Sequence, residues 1–447
     1  MSSPDRIERR ELVAALAAAT TLSGCSALGD DSDDGSGETV NPALRSTPTR
    51  SEPFDTVAES AVAERLTVSP SLLIGSEERS GGRLIGVYDP ATLTELRTLR
   101  TGGRSVVTPD GVVVEQTPTA TATYALPETD ARWRDERRLR LLAFGDGLWF
   151  RVAGDGPETV LRLDTDEWQI VWEQSVGELV SWTDSHLLTH DGDGLVCREP
   201  DTGAVRWRTT LPDPVEPSLD TTSRRVGDAI AVVDGRRVDL LAAEAGTHRG
   251  RHTPDGQFAP RRTVGHDGTV VCGGPDAAMV GLDTTTGDLR WRVDEPATTP
   301  VAVGPVVYAT GFDGGRVTTG VDRRNGTVRW RRPGAVGAVG GAGAYVIDGE
   351  TLTAVGSSGT VQWRRRHGLS SVTTPGLGSP AGGVDGPPVT VRDGRVSFWT
   401  PEAVRVWAVP DGSERVRLDG LSVESAVLGP DGRLFLSTGS RLGVIDA

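Results

Sequence analysis

One short phrase of sequence recurs along the chain, and it constrains the fold more than any other feature. Its clearest copy occupies residues 280–292 and reads VGLDTTTGDLRWR. Apolar residues bracket a short Asp/Thr/Gly cluster, which is typical of a β-hairpin turn. After this turn, Leu289, Trp291 and Val293 alternate with polar residues, and this period of two predicts a strand.

The spacing of the copies predicts the architecture. The turn glycines Gly203, Gly246, Gly287 and Gly326 follow one another at intervals of 43, 41 and 39 residues. A period near 40 with short strands is typical of propellers rather than of helical repeats. We therefore predict an all-β fold, a β-propeller of four-stranded antiparallel blades with eight to ten repeat units.

The last repeat unit ends after its third strand, at residues 444–447. A ring closed by the N-terminal segment would supply the missing strand and remove an open sheet edge. We expect residues within 40–66 to close the ring, and we assign residues 57–447 to the propeller. The Gly/Pro-rich stretch 370–388 interrupts the repeat and is interpreted as a long loop, either functional or decorative.

The phrase resembles the Asp-x-x-x-Gly-x-x-x-Trp repeat of the PQQ-binding-like propeller superfamily. It is best matched by Asp283/Gly287/Trp291 and Asp322/Gly326/Trp330, and Asp201/Gly203/Trp207 resembles a copy with a shortened turn. The resemblance implies that the glycines and tryptophans are structural and that each Trp packs over the neighbouring blade. The tryptophans concerned are Trp133, Trp172, Trp207, Trp291, Trp330 and Trp363. The superfamily includes quinoprotein dehydrogenases and outer-membrane assembly scaffolds, so the resemblance specifies fold better than function.

Residues 1–25 are typical of a targeting segment. Arg9 and Arg10 resemble a twin-arginine export signal, and the apolar run that follows is too short to span a bilayer. That run ends in the letters LSGC, which resemble a lipobox, so we predict a lipid on Cys25. Residues 26–56 are rich in Asp, Ser and Pro and predict a disordered tether. The combination resembles exported lipoproteins of haloarchaea.

The charge of the chain argues against one class of partner. It contains no lysine, and its 47 arginines are outnumbered by 62 Asp and Glu residues, which gives a net charge of −15. Nucleic-acid binding needs clustered positive charge to neutralise phosphates, so we expect no nucleic-acid partner. The composition resembles that of proteins from salt-loving archaea, although acidic solubility in a high-GC organism explains it as well.

The motifs of known catalytic sites are mostly missing. The quinone-dependent members of the superfamily are expected to carry adjacent cysteines and a calcium site with an Asn ligand. This chain has no adjacent cysteines, and its two asparagines are Asn41 in the tether and Asn325 in a hairpin turn. We therefore predict no cofactor, no metal and no catalytic residue.

Three smaller features have ordinary interpretations. The pairs His186/His190 and His248/His252 are interpreted as loop residues, because side chains four apart on a strand lie too far apart for one metal. Cys197 and Cys272 are expected to be two buried thiols. Asn325-Gly326-Thr327 is a glycosylation sequon, and it is also explained as a hairpin turn.

These observations favour a binding protein. We expect a lipid-anchored propeller on the extracellular face of the cell membrane, acting as a scaffold for a protein partner or an extended ligand. The alternatives are a quinone-cofactor-dependent oxidoreductase or a polysaccharide-binding accessory, each with a divergent site in the channel.

Overall fold

The structure is a computed structural model, and the residues that it describes lie between Thr56 and Ala447. The described ranges are 56–58, 65–69, 71–80, 82–108, 110–145, 147–152, 158–183, 185–192, 194–213, 221–234, 236–256, 263–274, 278–296, 301–312, 315–368, 389–429, 432–438 and 441–447.

Forty strands form ten four-stranded antiparallel sheets, the blades of a propeller. Blade 1 contains β2 (Arg65–Val68), β3 (Leu73–Arg79), β4 (Gly82–Tyr88) and β5 (Glu95–Thr101). Blade 2 contains β6 (Arg104–Val107), β7 (Val112–Gln116), β8 (Thr121–Ala125) and β9 (Trp133–Asp135). Blade 3 contains β10 (Leu139–Gly145), β11 (Gly147–Val152), β12 (Thr159–Asp164) and β13 (Gln169–Ser175).

The next four blades repeat this order. Blade 4 contains β14 (Glu178–Thr183), β15 (His186–Asp191), β16 (Gly194–Arg198) and β17 (Val205–Thr209). Blade 5 contains β18 (Thr222–Val226), β19 (Ala229–Val233), β20 (Val238–Ala242) and β21 (His248–His252). Blade 6 contains β22 (Val264–His266), β23 (Thr269–Cys272), β24 (Ala278–Asp283) and β25 (Leu289–Pro296). Blade 7 contains β26 (Val301–Val303), β27 (Val306–Phe312), β28 (Arg316–Asp322) and β29 (Val328–Pro333).

The last three blades complete the ring. Blade 8 contains β30 (Ala335–Gly340), β31 (Gly343–Asp348), β32 (Thr351–Val355) and β33 (Val361–Arg366). Blade 9 contains β34 (Val389–Arg392), β35 (Arg395–Thr400), β36 (Ala403–Ala408) and β37 (Glu414–Asp419). Blade 10 contains β38 (Ser425–Leu428), β39 (Arg433–Thr438) and β40 (Arg441–Asp446), and its fourth strand is β1 (Thr56–Ala58).

The ring closes through the N-terminal strand. β1 pairs antiparallel with β40, in the register that sets Thr56 opposite Val444 and Ala58 opposite Leu442. Each blade contacts the next, and blade 10 contacts blade 1 through β38 and β2. The prediction of ring closure from within residues 40–66 is therefore confirmed, as is the all-β propeller. The number of blades is ten, the upper end of the predicted range.

The apolar core lies between the blades. Strands alternate their side chains between two faces, so each face packs against the neighbouring sheet. One cluster combines Leu188, Cys197 and Trp207 of blade 4 with Ile230 and Leu241 of blade 5, all nearly or fully buried. The described ranges contain no α-helix, and therefore no helix that is long and apolar enough to cross a membrane.

Candidate functional site

The repeated Asp and Gly lie in the hairpin between the third and fourth strands of a blade. In blade 6, one Asp283 oxygen accepts hydrogen bonds from the N–H groups of Thr285 and Thr286, at 2.7 and 3.1 Å. The other oxygen accepts one from Arg290 Nε at 2.7 Å. The turn closes because Gly287 N–H donates to Asp283 O at 2.9 Å. Blade 7 repeats this set with Asp322, Arg324, Asn325, Gly326 and Arg329.

Each repeated Trp reaches from one blade into the turn of the next. The indole N–H of Trp207 in blade 4 donates to the carbonyl oxygen of Ala243 in blade 5 at 2.8 Å. Gly246 of that turn lies against the indole, where an added Cβ would come within 2.5 Å of two ring carbons. The same bond to the next blade is made by Trp172 to Pro200, Trp291 to Arg323 and Trp363 to Val409. These indoles therefore join neighbouring blades.

Three blades vary this contact. Trp330 packs against Gly359, but its Nε1 is buried and has no hydrogen-bond partner among the described residues. Trp133 is half-buried and stacks on Phe150, with 5.7 Å between the ring centroids. Blade 5 has Gly250 at the Trp position, so the backbone of Gly287 packs directly on it.

One predicted repeat copy needs correction. Glu199, not Asp201, occupies the acidic position of blade 4, because Gly203 N–H donates to Glu199 O at 2.9 Å, as in the other turns. Glu199 also accepts a hydrogen bond from Arg206 Nε at 2.9 Å, equivalent to the bond between Asp283 and Arg290. The turn is therefore of full length. The Glu199 side chain keeps the bond to the arginine that Asp283 makes in blade 6.

The histidine pairs do not lie in loops as predicted. His186 and His190 are in β15, and His248 and His252 are in β21. Strand residues four apart lie about 13 Å from each other, so neither pair shares a metal. His248 instead contacts the buried Asp239 at 2.9 Å, beside Arg251 Nε at 2.7 Å. Among the described residues, no group of three or more His, Cys, Asp and Glu is placed to hold a metal ion.

A serine–histidine contact between blades 4 and 5 was missed by the sequence reasoning. His186 Nε2 lies 2.7 Å from Ser223 Oγ, a distance that would suit a base and a nucleophile. The Ser223 hydroxyl donates instead to Ser181 Oγ at 2.8 Å, so the imidazole acts as donor toward Ser223. His186 Nδ1 faces the hydroxyls of Thr183 and Ser185, both at 3.0 Å. Burial lowers the pKa of His186 to about 4, and the arrangement is a neutral bridge between blades.

The remaining predicted positions divide into described and undescribed residues. Asn325 is exposed in its turn, and its Oδ1 accepts a hydrogen bond from Thr327 N–H at 2.9 Å. Cys197 and Cys272 are buried free thiols, and burial raises the pKa of each to about 12. Arg9, Arg10, Cys25, the tether and the 370–388 insertion lie outside the described residues.

A cavity of about 590 Å³ lies between blades 2 and 3. It opens where β6 and β10 begin and β7 ends, on the face of the ring that carries the connections between blades. Arg104, Arg138 and Arg140 line it together with Gln116 and Thr117. The three arginines are exposed, and none of their side chains forms a hydrogen bond or ion pair with another described residue.

The backbone that carries these arginines is held by neighbouring polar groups. Thr121 Oγ1 accepts a hydrogen bond from Leu139 N–H at 2.9 Å and donates to Arg137 O at 3.3 Å. Gln116 Nε2 donates to Leu139 O from the other side. Leu139 is buried, so Arg138 and Arg140 share the opposite side of the strand. The alternation Arg-Leu-Arg was visible in the sequence, but the approach of Arg104 depends on the tertiary fold.

Comparison with known families gives one match. The family model described as "Outer membrane protein assembly factor BamB" matches residues 234–446, from the middle of blade 5 to blade 10. A search of curated proteins finds no matching relative.

Solved structures with a similar backbone path have low sequence identity to this chain. BamB from Moraxella catarrhalis is 12% identical, with a TM-score of 0.38, over 88% of this chain and 96% of that one. The computationally designed Ika8 protein is 12% identical, with a TM-score of 0.41, over 87% and 99%. A europium-containing methanol dehydrogenase is 12% identical, with a TM-score of 0.34, over 67% and 82%. Such low scores carry no argument about function.

Proposed function

We propose that this chain, a β-propeller of PQQ-like repeats, acts by binding, as a scaffold for a protein partner or an extended ligand. One observation carries the proposal: the polar groups that recur from blade to blade are used to hold the ring together. Asp283 and Asp322 bind their own turns and arginines, and the Trp207 indole binds the next blade. The repeated residues therefore stabilise the ring, and the loops on its two faces can differ from blade to blade.

The family match supports the same conclusion. The matching model is described as an assembly factor for outer membrane proteins, which is a role in bringing proteins together. We carry only the scaffold role to this chain, because the match covers residues 234–446 and does not identify a partner.

The proposal includes a lipid anchor on Cys25 and export guided by Arg9 and Arg10, which place the ring on the extracellular face of the cell membrane. β1 begins at Thr56 and forms the outermost strand of blade 10. A tether over residues 26–56 would therefore join the ring at its rim. Attachment at the rim leaves both faces accessible to a partner.

The anchor and the partner can be tested in one set of cells. We would compare the full chain with Cys25→Ser by membrane fractionation, by protease treatment of intact cells and by crosslinking at the cell surface. We expect the parent to be membrane-bound, digested from outside and crosslinked to one defined protein, and the variant to be released. Equal fractionation of both chains would contradict the anchor.

A second assay separates the scaffold from the oxidoreductase alternative. The full chain would be titrated with pyrroloquinoline quinone and calcium, with Trp fluorescence and dye-linked alcohol oxidation as readouts. We expect neither saturation nor turnover. Saturable binding with turnover would overturn the scaffold proposal and indicate a quinone site in the channel.

A further inference from the structure

We propose that the cavity between blades 2 and 3 is a binding site for a tetrahedral oxyanion, the phosphate or sulfate group of a ligand. Its volume of about 590 Å³ lies within the range of small-ligand sites, roughly 300–1,000 Å³. The proposal depends neither on the lipid anchor nor on a protein partner.

The three arginines of the cavity differ from their neighbour in how they are paired. Arg104, Arg138 and Arg140 have no carboxylate partner among the described residues, although the chain has an excess of acid. Their neighbour Arg137 is paired twice, with Asp135 at 2.7 Å and with Glu173 at 3.0 Å. Carboxylates therefore neutralise Arg137 beside the cavity, whereas the three arginines that line the cavity are free to bind an anion.

The nearest buried carboxylate does not oppose this charge. Glu115 is 8% exposed, and its two oxygens accept hydrogen bonds from Gly102 N–H and from Tyr124 OH. It precedes Gln116 on β7, so its side chain lies on the opposite face of the strand. The lining of the cavity thus contains three arginines and no carboxylate.

The backbone beside the cavity is preorganised. The hydrogen bonds of Thr121 and Gln116 hold the backbone at Leu139, the residue between Arg138 and Arg140. A fixed backbone reduces the conformational entropy that binding must overcome. Each planar guanidinium can donate two parallel hydrogen bonds to a phosphate or sulfate oxygen pair.

Arginines are concentrated on the inner strands around the channel. The first strands of the ten blades contain six arginines and one glutamate, in a chain whose net charge is −15. The arginines are Arg65, Arg104, Arg140, Arg224, Arg225 and Arg392. Arg225 and Arg392 are paired with Glu244 and Asp393, which leaves four that form no salt bridge with a carboxylate among the described residues. Positive charge near the axis of an acidic ring draws anions toward the inner strands and away from the rim.

The test is isothermal titration calorimetry of the full chain with inorganic phosphate, pyrophosphate and sulfate. It would be run in chloride buffer at about 0.15 M and about 1 M salt, where the Debye length falls from about 8 to about 3 Å. We expect saturable binding that weakens with salt, strongest for pyrophosphate. A preference for pyrophosphate or phosphate over sulfate would identify a phosphorylated ligand, and the reverse order a sulfated one.

The variants are Arg104→Gln, Arg138→Gln and Arg140→Gln. Each removes one charged donor, so we expect each to weaken pyrophosphate binding by about 10-fold to 100-fold. The matched control is Arg364→Gln, because Arg364 is also exposed and lies on β33 in blade 8. Near-UV circular dichroism should be the same for all four variants, since none of these side chains holds another described residue.

Two results would overturn the proposal. One is the absence of saturable binding for all three anions at the lower salt concentration. The other is binding that Arg364→Gln weakens as much as the cavity variants do, which would show a general attraction to arginine.

Discussion

Replacing Gly246 by alanine tests whether the contact between an indole and a turn glycine stabilises the ring. Gly246 has a φ of 68°, and an added Cβ would come within 2.5 Å of Trp207 ring carbons. Gly394 offers a matched control, because its φ is 71° and an added Cβ there meets nothing within 4 Å. Both substitutions place alanine in the left-handed region, and only Gly246→Ala adds a clash.

The magnitudes follow from these two terms. An L-residue in the left-handed region costs about 1–2 kcal/mol, so we expect Gly394→Ala to lower the free energy of unfolding by that amount. Overpacking typically adds about 1–3 kcal/mol, so Gly246→Ala should lose about 2–5 kcal/mol. Urea denaturation, with circular dichroism as the probe, measures both values.

A double-mutant cycle with Trp207→Ala identifies the clashing partner. All three atoms nearest to the added Cβ belong to the Trp207 ring system, and truncation to Ala removes them. We therefore expect the double variant to be more stable than the sum of the single effects predicts, by about 1–3 kcal/mol. Additive effects, or equal losses for Gly246→Ala and Gly394→Ala, would refute the reasoning.

Three further predictions use the same denaturation assay. Trp291→Ala should cost about 3–5 kcal/mol, because the indole is 6% exposed and bonded to the next blade, and an unchanged free energy of unfolding would contradict this. Asp239→Ala should cost about 3–5 kcal/mol, because the 1% exposed carboxylate holds Arg251 and His248; a loss below about 1 kcal/mol would contradict it. The pKa of His186 falls to about 4 in the fold, so its contribution is full above pH 6.5 and is lost as the pH falls toward 4. Relative to His186→Gln, the parent should lose about 3 kcal/mol over that window, and parallel pH profiles would exclude the effect.

The fold could be predicted largely from local sequence. Asp283, Gly287 and Trp291 lie within one hairpin, so their spacing reports the repeat directly, and the PQQ-like resemblance they carry is confirmed. Ring closure followed from the missing strand of the last unit. Asp201 was wrongly assigned to the acidic position of the blade 4 turn because an Asp was expected there. Glu199 occupies that position instead.

The candidate site could not be predicted in the same way. Arg104 is on blade 2 and Arg140 is on blade 3, and only the ring brings them to one cavity. The contact between His186 and Ser223 likewise joins two blades and follows no spacing rule. Local patterns specify strands and turns, whereas contacts between blades depend on how neighbouring sheets pack.

The pairing of β1 with β40 has a consequence for the order of folding. Thr56 is synthesised early and Val444 late, so β1 has no strand to pair with until nearly the whole described chain exists. Loop-closure entropy grows slowly with length, but pairing across such a separation is slow. We expect closure to be the last and rate-limiting step of folding. A ribosome-bound or truncated chain that lacks β40 would expose the edge of β39 and be prone to aggregation.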